Sequence, residues 1–101
     1  MGPLAVSAQA CDGTRTRVRC WVNDEARQDA QTTDLIFDIP QLIETLSAGI
    51  TLYPGDIIAT GTPGGVGDKR EPPVYMKAGD VIEIEISGLG ILRNTVVDAQ
   101  A

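Results

Sequence analysis

The 101-residue sequence contains no histidine. This absence excludes Ser-His-Asp and Cys-His nucleophilic arrangements and every metal site that uses imidazole. The two cysteines, Cys11 and Cys20, are too few for a disulfide scaffold and lack the CxxC spacing of a zinc ligand pair. We therefore expect two free thiols and look to other side chains for any chemistry.

Long apolar runs are also missing. No segment approaches the about 18 consecutive apolar residues that a membrane span needs, and nothing after Met1 resembles a secretory signal. We therefore expect a soluble, cytoplasmic protein with no membrane partner. A chain of this length buries roughly two thirds of the surface that its unfolded form exposes, which allows one domain with a modest core.

Positive charge is scarce, because 8 basic residues face 14 acidic ones and give a net charge of −6. The electrostatic field of a negatively charged chain repels the phosphate backbone of nucleic acids, so we expect no nucleic-acid partner. Residues 1–28 are the exception, with three acids and four arginines, Arg15, Arg17, Arg19 and Arg27. Such a basic strand is most often a solvated face, with anion binding as the alternative.

Polar and apolar residues alternate with the period of a strand over much of the chain. Asn23 and Asp24 predict a tight hairpin turn, although glycine would suit its second position better. Asp38 and Gln41 have the spacing of a capping box and predict one short helix that ends at Gly49. The predicted strands are 16–22, 25–28, a short apolar run at 57–59, 81–86 and 91–97, with a polar connection at 29–34. The sum is a mostly β (α+β) chain with a rolled or barrel-like sheet.

The segment Ala59–Gly67 carries four glycines and two threonines. Glycine removes Cβ and allows backbone N–H groups to approach a ligand, and a threonine hydroxyl could hold a carboxylate or enolate oxygen. A Walker loop is excluded because Asp68 stands where that motif requires lysine, and Pro72 and Pro73 oppose the helix of a dinucleotide fingerprint. A plain glycine-rich connection is the alternative.

Glu83 and Glu85 project from one face of a predicted strand and could share a cation. Alternating isoleucine and glutamate is also the ordinary pattern of a half-exposed strand, and that interpretation is favoured. Trp21 shares a face with arginines. It is interpreted as a partly exposed packing residue, with stacking by an arginine as the alternative.

The run Tyr53–Gly67, which reads YPGDIIATGTPGGVG, resembles the C-terminal signature of the fumarylacetoacetate hydrolase family. Later segments of the chain agree with the family's closing strands in order. The matching segments are 72–80, 83–90 and 92–96, preceded upstream by Gly2-Pro3, Val22-Asn23, Arg27-Gln28, Thr32, Ile36–Pro40 and Leu46-Ser47. Asp24 departs from the glycine that is usual in the family's hairpin. Residues 1–101 therefore resemble the C-terminal portion of one catalytic domain of this family.

The resemblance implies a β-roll, commonly dimeric, and a metal-dependent enzyme that acts on 2-oxo or β-diketo acids. The reaction would be C–C hydrolysis, decarboxylation, isomerisation or a lyase reaction, with a divalent cation such as Mg or Mn. The family's Glu-x-Glu pair, aspartate and lysine lie before the matched region. Glu83 and Glu85 are therefore not that pair, and no metal ligand and no catalytic residue is expected in this chain.

The resemblance carries over one substrate-binding group, the hydroxyl of Thr62, in a loop shaped by Gly61 and Pro63. In the family this threonine faces the metal and binds the oxo-acid end of the substrate. The first hypothesis is a C-terminal fragment of such an enzyme, inactive alone. The second is a non-catalytic, stand-alone β-roll that associates with itself or with a full-length relative.

Overall fold

The computed structural model describes residues 1–99, in which four strands form one sheet beside a single helix. The strands are β1 (Arg17–Val22), β2 (Glu25–Gln31), β3 (Val81–Ile86) and β4 (Gly90–Thr95), and the helix is α1 (Ile39–Gly49). Every neighbouring pair is antiparallel, in the order β2-β1-β3-β4. The prediction of a mostly β chain with one short helix is confirmed.

The two central strands, β1 and β3, share an apolar face. Val18, Cys20 and Val22 of β1 lie opposite Ile86, Ile84 and Ile82 of β3, and residues directly opposite in a ladder project from the same face. The predicted alternation is therefore confirmed in both strands. Their other face carries the arginines of β1 and the glutamates of β3, together with Trp21 and Val81. It is called the polar face below.

On the polar face, the arginines of β1 are paired with acids of neighbouring strands. Arg17 makes a two-point contact with Asp29, with Nε donating at 2.7 Å and Nη2 at 2.5 Å. The Arg19 guanidinium pairs with Glu85 and lies 5.1 Å from the centre of the Trp21 ring. Trp21 is thus half-buried and stacked by an arginine, which was the alternative interpretation.

The hairpin turn between β1 and β2 forms as predicted. Asn23 has φ 51° and Asp24 has φ 66°, so both adopt the left-handed conformation. A two-residue hairpin turn of type I′ requires this conformation at both central residues. The Asn23 amide donates to Asp80 at 2.8 Å, and its oxygen accepts the Val81 N–H at 2.8 Å. The turn is therefore fixed to the start of β3.

Asp80 is the most buried residue of the described chain, with 5% of its surface exposed. Its carboxylate accepts hydrogen bonds from the Lys77 backbone N–H at 2.9 Å, from the Asn23 amide and from Lys77 Nζ at 3.2 Å. These donors, the Lys77 N–H first, lower the pKa of Asp80 to about 2.

The helix begins at its predicted capping box. Asp38 Oδ1 accepts the Gln41 N–H at 2.9 Å, and Gln41 Oε1 accepts the Asp38 N–H at 3.3 Å. Pro40 lies in the first turn, where its missing N–H costs nothing, and the helix ends at Gly49 as predicted.

Several strand boundaries differ from the predictions, by one residue at the starts of β1 and β4 and by more at the ends of β2 and β4. β2 continues to Gln31, through residues 29–31 of the predicted polar connection, because an edge strand with a solvated face carries no clear alternation. β4 ends at Thr95 rather than 97. The strand predicted at 57–59 is wrong: within residues 1–99 no strand pairs with this run, and Ile57 is 72% exposed.

No apolar side chain among residues 1–99 is buried. Ile36 is 92% exposed and Phe37 62% exposed, and α1 buries none of its residues. Within the same residues, no helix combines the length and the apolar character needed to cross a bilayer.

The lowered pKa of Asp80 predicts acid sensitivity. A carboxyl whose pKa is lower in the folded state stabilises the fold above its unfolded pKa, near 3.8, and this contribution is lost as the pH falls towards 2. The difference in thermal midpoint between wild type and Asp80→Asn should therefore be constant above about pH 5 and shrink below pH 4. Asp98→Asn, at an exposed position outside this hydrogen-bonded cluster, is the matched control.

The exposed apolar residues predict self-association of the isolated chain. Light scattering on the purified chain should give a mass above the 10.7 kDa of the monomer. Ile36→Ser, which removes apolar surface, should move the distribution towards monomer. A wild-type monomer that unfolds cooperatively would contradict this prediction.

Candidate functional site

The loop that contains Gly61, Thr62 and Pro63 lies against β2. The side chain of Gln28 joins the two, because its Nε2 donates to Thr62 Oγ1 at 2.8 Å and to the Pro63 carbonyl oxygen at 2.9 Å. The structure therefore brings the three predicted site residues onto the sheet. The structure also identifies Gln28 as a residue of the candidate site. In the sequence, Gln28 stood out only as part of the Arg27-Gln28 pair that resembles the family.

A β-bulge puts Gln28 in this position. Cys20 lies opposite Gln28, but the next residue, Trp21, lies opposite Ala26, so Arg27 is an extra residue on β2. Because opposed residues share a face, Gln28 projects from the face that carries Cys20. Bulges commonly redirect a side chain near a functional site. A period-two pattern cannot reveal one, and this is why sequence analysis missed the role of Gln28.

The bulge also provides the surface on which the glycine loop rests. A Cβ added at Gly65 would lie 1.9 Å from the Arg27 carbonyl oxygen. The same oxygen accepts a hydrogen bond from Arg70 Nη2 at 3.3 Å, and Arg70 Nε donates to the Gly65 carbonyl at 3.3 Å. The close approach predicted for these glycines is thus made to the chain's own backbone.

Gly67 makes a second close approach. A Cβ on this residue would lie 1.8 Å from the Val74 carbonyl oxygen, and the Val74 N–H donates to the Gly67 carbonyl at 2.9 Å. Beside it, the Tyr75 hydroxyl donates to Asp68 at 2.8 Å, which raises the pKa of Tyr75. The loop after Thr62 is therefore tied down at two separate places.

Gly61, Thr62 and Pro63 line a groove of about 800 Å³. Its walls are mostly apolar and include Phe37, Leu42 and Ile86, and Asp34 is the one charged side chain among its described lining residues. A concave, apolar site with few polar groups is typical of small-molecule binding. The Thr62 hydroxyl can supply a hydrogen bond to an acid or carbonyl oxygen there.

Thr62 also lines a smaller hollow of about 440 Å³, together with Cys20, Gln28 and Lys77. Burial raises the pKa of the Cys20 thiol, although the positive charge of Arg27 acts to lower it. A thiol with a raised pKa stays protonated at neutral pH and is a poor nucleophile. Cys20 is therefore not the source of a nucleophile in this hollow.

The described residues do not fit a divalent metal. Among residues 1–99, no three histidine, cysteine, aspartate or glutamate side chains lie together. Glu85 is engaged by Arg19, and Glu83 lies opposite Trp21 and Arg93 in the sheet.

Comparison with known proteins identifies the class. The profile of the family described as fumarylacetoacetate (FAA) hydrolase C-terminal matches residues 1–97. The chain belongs to this family, so the resemblance found in the sequence is confirmed.

Similar proteins include several enzymes. Oxaloacetate tautomerase YisK of Bacillus subtilis is 48% identical over 97 residues, which is 95% of this chain and 32% of that protein. The fumarylacetoacetate hydrolase structure from Exiguobacterium antarcticum superimposes with a TM-score of 0.89 at 44% identity, covering 95% of this chain and 35% of that one. The chain therefore spans about a third of the length of these relatives.

A further similar structure contains ligands. It is maleylpyruvate hydrolase from Sphingobium sp. SYK-6 in complex with manganese(II) and pyruvate, with a TM-score of 0.84 and 48% identity over 98% of this chain and 35% of that one. Proteins similar to this chain thus include hydrolases and a tautomerase, and the matched third of the two solved structures has the fold described here.

The close approach at Gly67 generates a testable prediction. Gly67→Ala should displace the loop, because its Cβ would collide with a backbone oxygen, whereas Gly64→Ala adds the same methyl group where nothing lies within 4 Å. Neither residue has a positive φ, so the comparison isolates the collision. Amide chemical shifts of residues 60–67 should change widely in Gly67→Ala and only locally in Gly64→Ala. Equal changes in both variants would contradict the described docking.

Proposed function

We propose that the chain is the C-terminal part of a metal-dependent enzyme that acts on a 2-oxo or β-diketo acid. The reaction is C–C bond hydrolysis, decarboxylation or isomerisation, and the complete enzyme is a homodimer. Family membership supports this class. The observation that supports a particular binding site is the position of the Thr62 hydroxyl, which Gln28 holds at the groove by a hydrogen bond.

In this proposal the Thr62 hydroxyl binds an oxygen of the oxo-acid group, and Gly61 and Pro63 shape the loop that presents it. Mg or Mn is held by residues that precede the matched region in the family. A manganese ion and pyruvate in the maleylpyruvate hydrolase structure support this pairing of a divalent cation with a 2-oxo acid. The residues of this chain orient the substrate.

The chain alone should be inactive, because a hydroxyl and a loop provide orientation without an electrophile. An alternative function is a non-catalytic β-roll that associates with itself or with a full-length relative. The exposed apolar residues, such as Ile36 and Phe37, favour that alternative.

Calorimetric titration and a turnover assay separate the two functions. Mg and Mn should not bind the purified chain, and oxaloacetate or an acylpyruvate should not be consumed. Joining the chain to the preceding region of the Sphingobium maleylpyruvate hydrolase should produce metal binding and turnover. Stoichiometric metal binding by the chain alone, or no turnover by a folded, metal-loaded fusion, would contradict the proposal.

Substitution of Thr62 in that fusion tests the site itself. Thr62→Val should raise KM for oxaloacetate by about tenfold or more, as expected for a lost hydrogen bond to a charged group, and Thr62→Ser should retain most of the activity. Thr95→Val makes the same change on exposed β4 and should leave kcat and KM unchanged. Equal activity of Thr62→Val and wild type would exclude a role for this hydroxyl.

A further inference from the structure

The orientation of the Gln28 amide is fixed by its two partners. A carbonyl oxygen can only accept a hydrogen bond, so the amide atom 2.9 Å from the Pro63 oxygen must be the NH2 nitrogen. The same nitrogen lies 2.8 Å from Thr62 Oγ1. Assignment of oxygen and nitrogen in a glutamine depends on the surrounding bonds, and here the bonds allow one assignment.

This orientation decides which way the Thr62 hydroxyl can donate. A hydroxyl has one proton and two lone pairs. One lone pair of Thr62 accepts an N–H from Gln28, and an NH2 nitrogen offers no lone pair to receive the hydroxyl proton. The proton of Thr62 must therefore point away from Gln28.

We propose that Gln28 is a positioning residue that holds the Thr62 hydroxyl as a hydrogen-bond donor facing the ligand space. The ligand atom that Thr62 recognises is then an acceptor oxygen, such as a carboxylate, carbonyl or enolate oxygen, and a ligand that presents a donor there is disfavoured. The identity of the ligand rests on the proposed function, whereas the polarity of the hydroxyl rests on the two hydrogen bonds alone.

Two glutamines of the chain provide matched substitutions. Gln28 uses its donor nitrogen, whereas Gln41 uses its acceptor oxygen in the capping box. A carboxylate can replace the acceptor at Gln41 but cannot replace the donor at Gln28. Gln28→Glu and Gln41→Glu therefore make the same change in charge and shape. The first should break the hydrogen bonds of residue 28, whereas the second should preserve the hydrogen bond of residue 41.

The test is a pH titration of the 101-residue chain followed by NMR. At neutral pH, Gln28→Glu should shift the resonances of residues 60–65, because the introduced carboxylate faces the Pro63 oxygen. The shifts should partly reverse at acid pH, when the protonated carboxyl supplies an O–H donor, with a midpoint above the ordinary glutamate value of about 4.3. Gln41→Glu should leave residues 60–65 unchanged throughout.

A wild-type measurement covers the case in which Gln28→Glu fails to fold. Both side-chain N–H protons of Gln28 are engaged, so they should exchange with solvent more slowly than those of the exposed Gln9. Equal exchange at both residues, or a folded Gln28→Glu without the acid-reversible shift, would overturn the proposal.

Kinetics on the active fusion separate this proposal from the proposed function. Gln28→Glu should raise KM for oxaloacetate by about tenfold or more near neutral pH and less at acid pH, as expected for a lost hydrogen bond to a charged group. A KM that stays unchanged while the NMR shifts occur would overturn the role of Gln28 towards the ligand. Absence of turnover in the wild-type fusion contradicts the proposed function instead, and the NMR result still decides the amide orientation.

Discussion

The pairing of β1 with strands on both sides is the constraint on which the described structure depends. β1 has β2 on one edge and β3 on the other, and no apolar side chain among residues 1–99 is buried. Backbone hydrogen bonds, and not a dense core, therefore define the sheet. Asn23 and Asp80 reinforce that pairing, since the hairpin turn and the start of β3 share one hydrogen-bonded cluster.

The register of β1 with β2 also determines the candidate site. One extra residue, Arg27, aims the Gln28 amide at the loop and presents a backbone oxygen to Arg70, while Gly65 fits against that oxygen because it has no Cβ. The position of Thr62 thus follows from an irregularity in a strand 34 residues earlier in the chain. The glycines of the loop have a structural function, which is to allow this docking.

Local signals in the sequence predicted the elements that depend on neighbouring residues. The capping box of Asp38, the turn at Asn23 and the alternation in β1 and β3 each act over a few residues, and each formed. The run 57–59 failed because a strand needs a partner, and apolar composition does not provide one. The Gln28–Thr62 contact joins distant segments through a bulge, so the family resemblance indicated Thr62 while no pattern indicated its partner.

Electrostatics connect the site to the proposed chemistry. The chain has a net charge of −6, and Asp34 is the single charged side chain among the described residues that line the larger groove. Arg17, Arg19 and Arg27 are each paired with an acid of the chain. Lys77, which lines the smaller hollow together with Thr62, is paired with Asp80. In the proposed enzyme, a dianionic oxo acid at Thr62 would therefore meet a hydroxyl donor and cations that already have an acidic partner, and burying unpaired negative charge is costly. In the proposed enzyme, a divalent cation would supply the further positive charge, and this is the physical reason for proposing that substrate binding uses a metal together with Thr62.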